Sequence, residues 1–153
     1  MIELIRAHIL PAALSLLPPS MDTPDARRLI LAIGLQESRF EHRRQVSGPA
    51  RGYFEFERGG VMGLIRHPAT QPHLQAAVLA LKYDPEMASD DIGLHAAIEH
   101  NDMLACVLAR LNLWWLPGAP AATQDDGWNQ YVAAWKPGKP RPETWADCWA
   151  QAA

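Results

Sequence analysis

The chain is predicted to be one mainly α domain with little or no sheet, and three observations predict it. Apolar residues recur three or four positions apart along most of its length, the spacing that lines one face of a helix. Helix-start chemistry recurs as well, in Thr23-Pro24-Asp25, Ser89-Asp90-Asp91, Asn101-Asp102 and Pro142. Only Tyr53-Phe54-Glu55-Phe56-Glu57 alternates as a short strand would, and it does not rival the helical stripes. A length of 153 residues suits a single domain with a real core.

Met1 to Leu17 is apolar around Ile9-Leu10-Pro11-Ala12-Ala13-Leu14. Only Arg6 gives the start a fixed positive charge, Glu3 precedes it, and no small-residue cleavage site comes before Pro18-Pro19, so an export signal is not expected. The run is too short to span a membrane. A core helix bent near Pro11 and ended by Pro18-Pro19 is expected instead.

Thr23 as N-cap, Pro24 at the first helical position and Asp25 in the first turn open the next helix. Ala26, Ile30, Ile33, Glu37 and Phe40 follow at helical spacing, which puts Glu37 in line with the apolar stripe near the helix end. Partial burial and the negative end of the helix dipole both disfavour a carboxylate there and raise its pKa, the condition for a general acid near neutral pH. The alternative is an ordinary Glu paired with Arg39, Arg43 or Arg44.

Residues 41–60 are polar, basic and Gly-rich, with turn chemistry at Ser47-Gly48-Pro49. Arg43, Arg44, Arg51 and Arg58 gather there, as a solvated face or as a basic rim for an anionic ligand. Val61–His67 reads as one or two helical turns. Leu74, Val78 and Leu81 mark a helix closing near Tyr83-Asp84-Pro85. Ser89-Asp90-Asp91 starts another. Asn101-Asp102 either caps a new helix or interrupts a longer one. Leu104, Val107, Leu108, Leu111 and Trp115 form the clearest stripe, predicted to be the central buried helix, and Pro117-Gly118 stops it. After a loop, Trp128, Tyr131, Val132 and Trp135 make an aromatic-faced helix. Lys136–Arg141 is an irregular link, and Pro142 opens a last helix carrying Trp145, Cys148 and Trp149.

The chain is 48% hydrophobic and 20% charged, and its formal net charge of −3 gives no support for a nucleic-acid partner. Cys106 and Cys148 make no disulfide framework and fit as small apolar residues. The six His are scattered without metal-ligand spacing, so neither metal nor cofactor is expected. Trp115 and Trp149 sit on helix stripes and are expected in the core.

Glu37-Ser38-Arg39-Phe40, then Ser47-Gly48-Pro49-Ala50-Arg51-Gly52-Tyr53-Phe54-Glu55, resembles two motifs of the soluble lytic transglycosylase and goose-type lysozyme group. There the pattern is Glu-Ser-x-Phe/Trp, then a Ser, then Gly-Ala-x-Gly-Leu-Met-Gln. Ala133-Ala134-Trp135-Lys136-Pro137-Gly138 before Trp145 is similar to a third, Ala-Ala-Tyr-Asn-Ala-Gly before a Trp. The order and spacing fit over roughly residues 24–145. The compact ending, Gly138-Lys139-Pro140-Arg141-Pro142-Glu143-Thr144-Trp145, also resembles small lysozyme-like proteins of tailed phages and prophages.

The resemblance implies a lysozyme-like domain over residues 1–153 that cleaves peptidoglycan glycan strands between N-acetylmuramic acid and N-acetylglucosamine. It would act without a cofactor, as a lytic transglycosylase or muramidase. Glu37 matches the catalytic acid, which in that family then serves as base toward the sugar's own 6-hydroxyl and leaves a 1,6-anhydro end. Ser47, Gly52, Tyr53, Phe54, Tyr131 and Trp135 match or neighbour substrate-binding positions. The loop over 47–55 and the Tyr131–Trp135 segment are expected to approach Glu37 from opposite sides, and the family's pattern opens a helix where Tyr53 to Glu55 stand.

Departures from the family bear on the product. Glu55 replaces the family's Gln, Tyr53-Phe54 its Leu-Met, and Trp135-Lys136 its Tyr-Asn. Tyr131, one turn before Trp135, is positioned to supply the missing hydroxyl. Glu55 is either a second carboxylate that favours hydrolysis or an ion-pair partner of Arg51 or Arg58. A different class of function, a non-catalytic glycan- or protein-binding module of a virion or assembly, is expected if Tyr53, Phe54 and Trp135 fill the cleft. Either way the expected partner is the glycan strand or another protein, with no stable membrane insertion. The expected place of synthesis is the bacterial cytoplasm, with action on the periplasmic wall after release or injection.

Overall fold

The computed structural model describes residues 1–153 and is built of helices with no β-sheet, the fold class the sequence predicts. Helix α1 (Ile2–Leu4) runs through a π-helical stretch (Ile5–Ile9) into α2 (Leu10–Leu14). The disturbance expected near Pro11 takes the form of that π stretch. Proline has no N–H to give and its ring crowds the carbonyl one turn back, so the wider turn falls just before it. Ile5, Leu10, Ala13 and Leu14 are buried, and the helix ends ahead of Pro18.

Helix α3 (Pro24–Ser38) begins as its sequence dictates: the Thr23 hydroxyl accepts from the Ala26 N–H at 3.1 Å. Thr23→Ala leaves that N–H without its cap, and an unfolding midpoint in urea should record a loss of about 1 kcal/mol. Arg39 and Phe40 follow with φ of 54° and 55°, so the chain reverses directly after α3. The Phe40 ring folds back over Gly34, where a Cβ would lie 2.1 Å from it. From there it meets Tyr53 and Phe54 edge-on at 5.4 and 6.1 Å.

The loop after α3 is neither the strand its alternation suggests nor the early helix the family pattern implies. Isolated antiparallel bridges join Arg44 to Arg51 and Arg51 to Phe56, and the chain turns tightly between them. The Glu55 N–H donates to the Gly52 carbonyl at 3.1 Å, and Glu55 has φ of 47°. A left-handed residue interrupts both strand and helix, so the next helix, α4 (Arg58–Arg66), starts later than the family pattern implies, though ahead of the turns expected over Val61–His67.

Helices α5 (Gln71–Ala80) and α6 (Asp91–Ala97) follow, with a 3₁₀ turn over Pro85–Ser89 between them. Asp90 caps α6 through the Gly93 N–H. Asn101 accepts from the Leu104 N–H at 3.0 Å, so α7 (Asp102–Trp114) is a separate helix with its own cap. Ten of its 13 residues are buried, and α2, α3, α4, α5 and α8 pack around it. Helices α8 (Gln124–Trp135) and α9 (Pro142–Gln151) complete the chain, α9 lying along α3. Between α8 and α9, Trp128, Tyr131, Trp145 and Trp149 pack ring on ring, with Tyr131 and Trp145 stacked at 5.5 Å. Cys106 and Cys148 are both free and buried. No helix is long and apolar enough to cross a membrane.

Candidate active site

The C-terminal turn of α3 is where three separate parts of the chain meet. Glu37 is its penultimate residue and faces a cleft of about 890 Å³. The loop before α4, α4 itself, the end of α7, and α8 with the link behind it line the rest of that cleft.

The Tyr131 hydroxyl donates to Glu37 Oε1 at 2.6 Å. Stacking on Trp145 fixes the Tyr131 ring, so the hydroxyl is held on the carboxyl group rather than offered to it. Burial, with the Glu37 charge beside it, pushes the Tyr131 phenol well above its usual range, so it stays a donor. The loop is clamped from the other side. The Ser38 hydroxyl donates to the Tyr53 carbonyl at 2.7 Å, and the Trp135 indole N–H donates to the Phe54 carbonyl at 2.9 Å. The end of α3 thus holds both the loop and α8, which also touch each other, and Glu37 shares its cleft with Glu55 and Trp135.

Burial raises the Glu37 pKa to about 7; the Glu55 charge adds to the rise, while the Tyr131 hydrogen bond and Arg141 oppose it. A carboxyl group so placed holds its proton near neutrality and can still give it up. None of the three expected arginines pairs with Glu37. Glu55 is also raised by burial, against the pull of Arg141 and His42. Its expected ion pairs are not made, because Arg51 binds Glu99 at 2.6 Å and Arg58 binds Asp91. The Glu55 side chain therefore lines the cleft unpaired, on a backbone held in a sparsely populated conformation.

Several expected contacts fall elsewhere. Tyr53 and Phe54 are 2% and 1% exposed and belong to the core, so they neither touch a ligand in the cleft nor fill it. Their alternation put one of them on a free face; the turn at Glu55 and the Phe40 ring draw both inward. Gly52, at φ of 70°, backs onto the Ile98 carbonyl, which a Cβ would approach to 3.0 Å, so its glycine serves packing rather than ligand contact. Ser47 lies in a turn outside the cleft lining. Trp115, expected in the core, lines the cleft beside His67. Trp149 is in the core as expected.

Of the four arginines gathered in the basic loop only Arg44 stays exposed without an ion pair, so they form no free rim. Arg43 grips Asp102 with two bonds, at 2.8 and 2.9 Å, and Arg51 and Arg58 are paired as described. These pairs fasten the chain to α6, to α7 and to the turn between them. The cleft's cations are Lys136, Lys139 and Arg141. Gln36, which sequence reasoning passed over, holds their link in place. Its amide donates to the Arg141 carbonyl at 3.0 Å, its side-chain oxygen accepts from Thr144 at 2.9 Å, and its own carbonyl accepts from Arg141 at 2.6 Å. A Gln inside an apolar stripe beside Glu37 was the available signal. No group of three or more His, Cys, Asp or Glu is placed to hold a metal ion.

Neither a family model, nor a curated protein, nor a solved structure matches the chain.

Proposed function

We propose that the protein cleaves the glycan strand of peptidoglycan at the bond following N-acetylmuramic acid, by the single-glutamate chemistry of lytic transglycosylases. The observation that carries this reading is the Glu37–Tyr131 pair: a carboxyl group with a pKa of about 7, held by a fixed phenol in an open cleft. In this mechanism protonated Glu37 gives its proton to the glycosidic oxygen as the bond to the muramyl C1 breaks. The Tyr131 hydroxyl hydrogen-bonds the carboxylate this leaves. Glu37 then takes the proton of the muramyl 6-hydroxyl, whose oxygen closes on C1 to give a 1,6-anhydro end. With water in place of that hydroxyl, the same steps end in a reducing sugar. Tyr53 and Phe54 lie in the core and leave the cleft open, with only Trp135 of the three on its lining, which supports cleavage over a purely binding module.

Mass spectrometry of the fragments released from purified Gram-negative sacculi tests this, and anhydro-muramyl ends are the expected product. Glu55→Gln should keep both cleavage and product. Reducing ends from the wild type that turn to anhydro ends in Glu55→Gln would instead make Glu55 the group that activates water. A wild type that releases nothing from sacculi of several hosts would overturn the catalytic reading.

The acid must be protonated to act, so activity should fall as pH rises through about 7. Removing the Glu55 charge removes one cause of the raised pKa. In Glu55→Gln the descending limb of the pH–rate profile should therefore move to lower pH, and a limb that stays or moves up would contradict the coupling.

A further inference from the structure

The two walls of the cleft carry opposite charge. Glu55 and Glu57 stand on the loop side, while Lys136, Lys139 and Arg141 stand on the link after α8. Asp91, Glu99 and Asp102, which neutralise Arg58, Arg51 and Arg43, make no ion pair with the link, and neither lysine has an ion-pair partner. The link that carries the lysines is held at both ends. Lys136 closes α8 in the left-handed conformation, its N–H on the Val132 carbonyl at 3.0 Å, and Arg141 is latched to Gln36 at the far end. An unpaired basic wall and an acidic one, in the cleft that Glu37 lines, sort a ligand by which of its sides is anionic.

We propose that Lys136 and Lys139 form a subsite for the acidic peptide stems of the glycan, and that this subsite sets the register of cleavage. It rests on the glycan-cleaving reading and deepens it. The strand alternates a neutral sugar with a muramyl residue whose lactyl group carries a peptide bearing free carboxylates. Stems directed at the lysine wall gain ion pairs. Stems directed at Glu55 and Glu57 meet like charge. Only one sugar in two has a stem to place there, so the contact brings the bond after a muramyl residue to Glu37 and rejects the alternate bond.

The test compares two soluble substrates from one preparation of sacculi. Endopeptidase digestion gives strands that keep their stems, and amidase digestion gives strands without them. For the wild type, kcat/KM should favour stem-bearing strands by about tenfold, the worth of two modest ion pairs. The difference should lie mainly in KM and shrink as salt is raised. In the double variant Lys136→Gln, Lys139→Gln the ratio should fall toward one, and in Lys136→Arg, Lys139→Arg it should return. A wild-type ratio near one overturns the subsite while leaving cleavage intact, as does a ratio that the glutamine variant does not change. A wild type that cleaves neither substrate overturns the glycan reading and the subsite with it.

Discussion

Glu37→Gln should lose glycan cleavage by a factor on the order of 10²–10⁴ and still fold. The amide keeps the shape of the side chain and accepts the Tyr131 hydrogen bond, but it has no proton to deliver. The same substitution should stabilise the protein at high pH. The Glu37 pKa is raised from 4.5 to about 7 in the folded chain, so the folded state binds this proton more tightly than the unfolded one. Stability contributed by the protonated group is complete below 4.5 and is lost as pH rises through 7. Above that range the wild type holds a buried carboxylate at a cost of about 3 kcal/mol, which the glutamine variant does not bear. Urea titrations well below and well above these two values should show the variant matching the wild type at low pH and exceeding it at high pH. A variant that still cleaves sacculi defeats the mechanism. A variant less stable at high pH would mean that Glu37 is more solvated than its cleft implies.

Gly34→Ala should destabilise the fold by about 2 kcal/mol, although alanine in a helix interior normally gains close to 1 kcal/mol over glycine. The sign reverses because the new methyl meets Phe40 Cζ at 2.1 Å, and the ring has little space to retreat. Phe40 is 2% exposed and wedged against Tyr53 and Phe54. Displacing it shifts the loop that places Glu55 in the cleft, so the variant should lose activity out of proportion to its unfolded fraction. Urea unfolding gives the first quantity, and rates measured where the variant is fully folded give the second. Equal or greater stability in Gly34→Ala would show that Phe40 moves freely and does not fix the loop.

Local chemistry in the sequence located the helices well. Thr23, Asp90 and Asn101 each cap a helix through the N–H three residues on, so their effect depends on nothing distant; Thr123 caps α8 in the same way inside a stretch expected to be loop. The alternation at Tyr53 to Glu57 misled because the conformation of Glu55 is imposed from afar, by Trp135 on the Phe54 carbonyl and by the packing of Gly52 on Ile98. The arginines of the loop looked free for the same reason: Asp102, Glu99 and Asp91 are more than thirty positions away in the chain. Glu37 and Tyr131 were each singled out as candidates, whereas their direct bond, across 94 positions, needed the fold. Nothing in the pattern marked Trp135 as an anchor of the loop backbone or Lys139 as part of the cleft.

The ring cluster between α8 and α9 makes this site optically readable. Trp128 and Trp145 are 5.7 Å apart, Trp145 and Trp149 are 5.9 Å apart, and Tyr131 stacks among them with its hydroxyl on Glu37. Rings this close couple their electronic transitions, and the resulting near-ultraviolet circular dichroism depends on their mutual angles. A strand that shifts Tyr131 as it engages Glu37 changes those angles, so occupancy of the cleft can be followed by an intrinsic chromophore, without a label and without turnover.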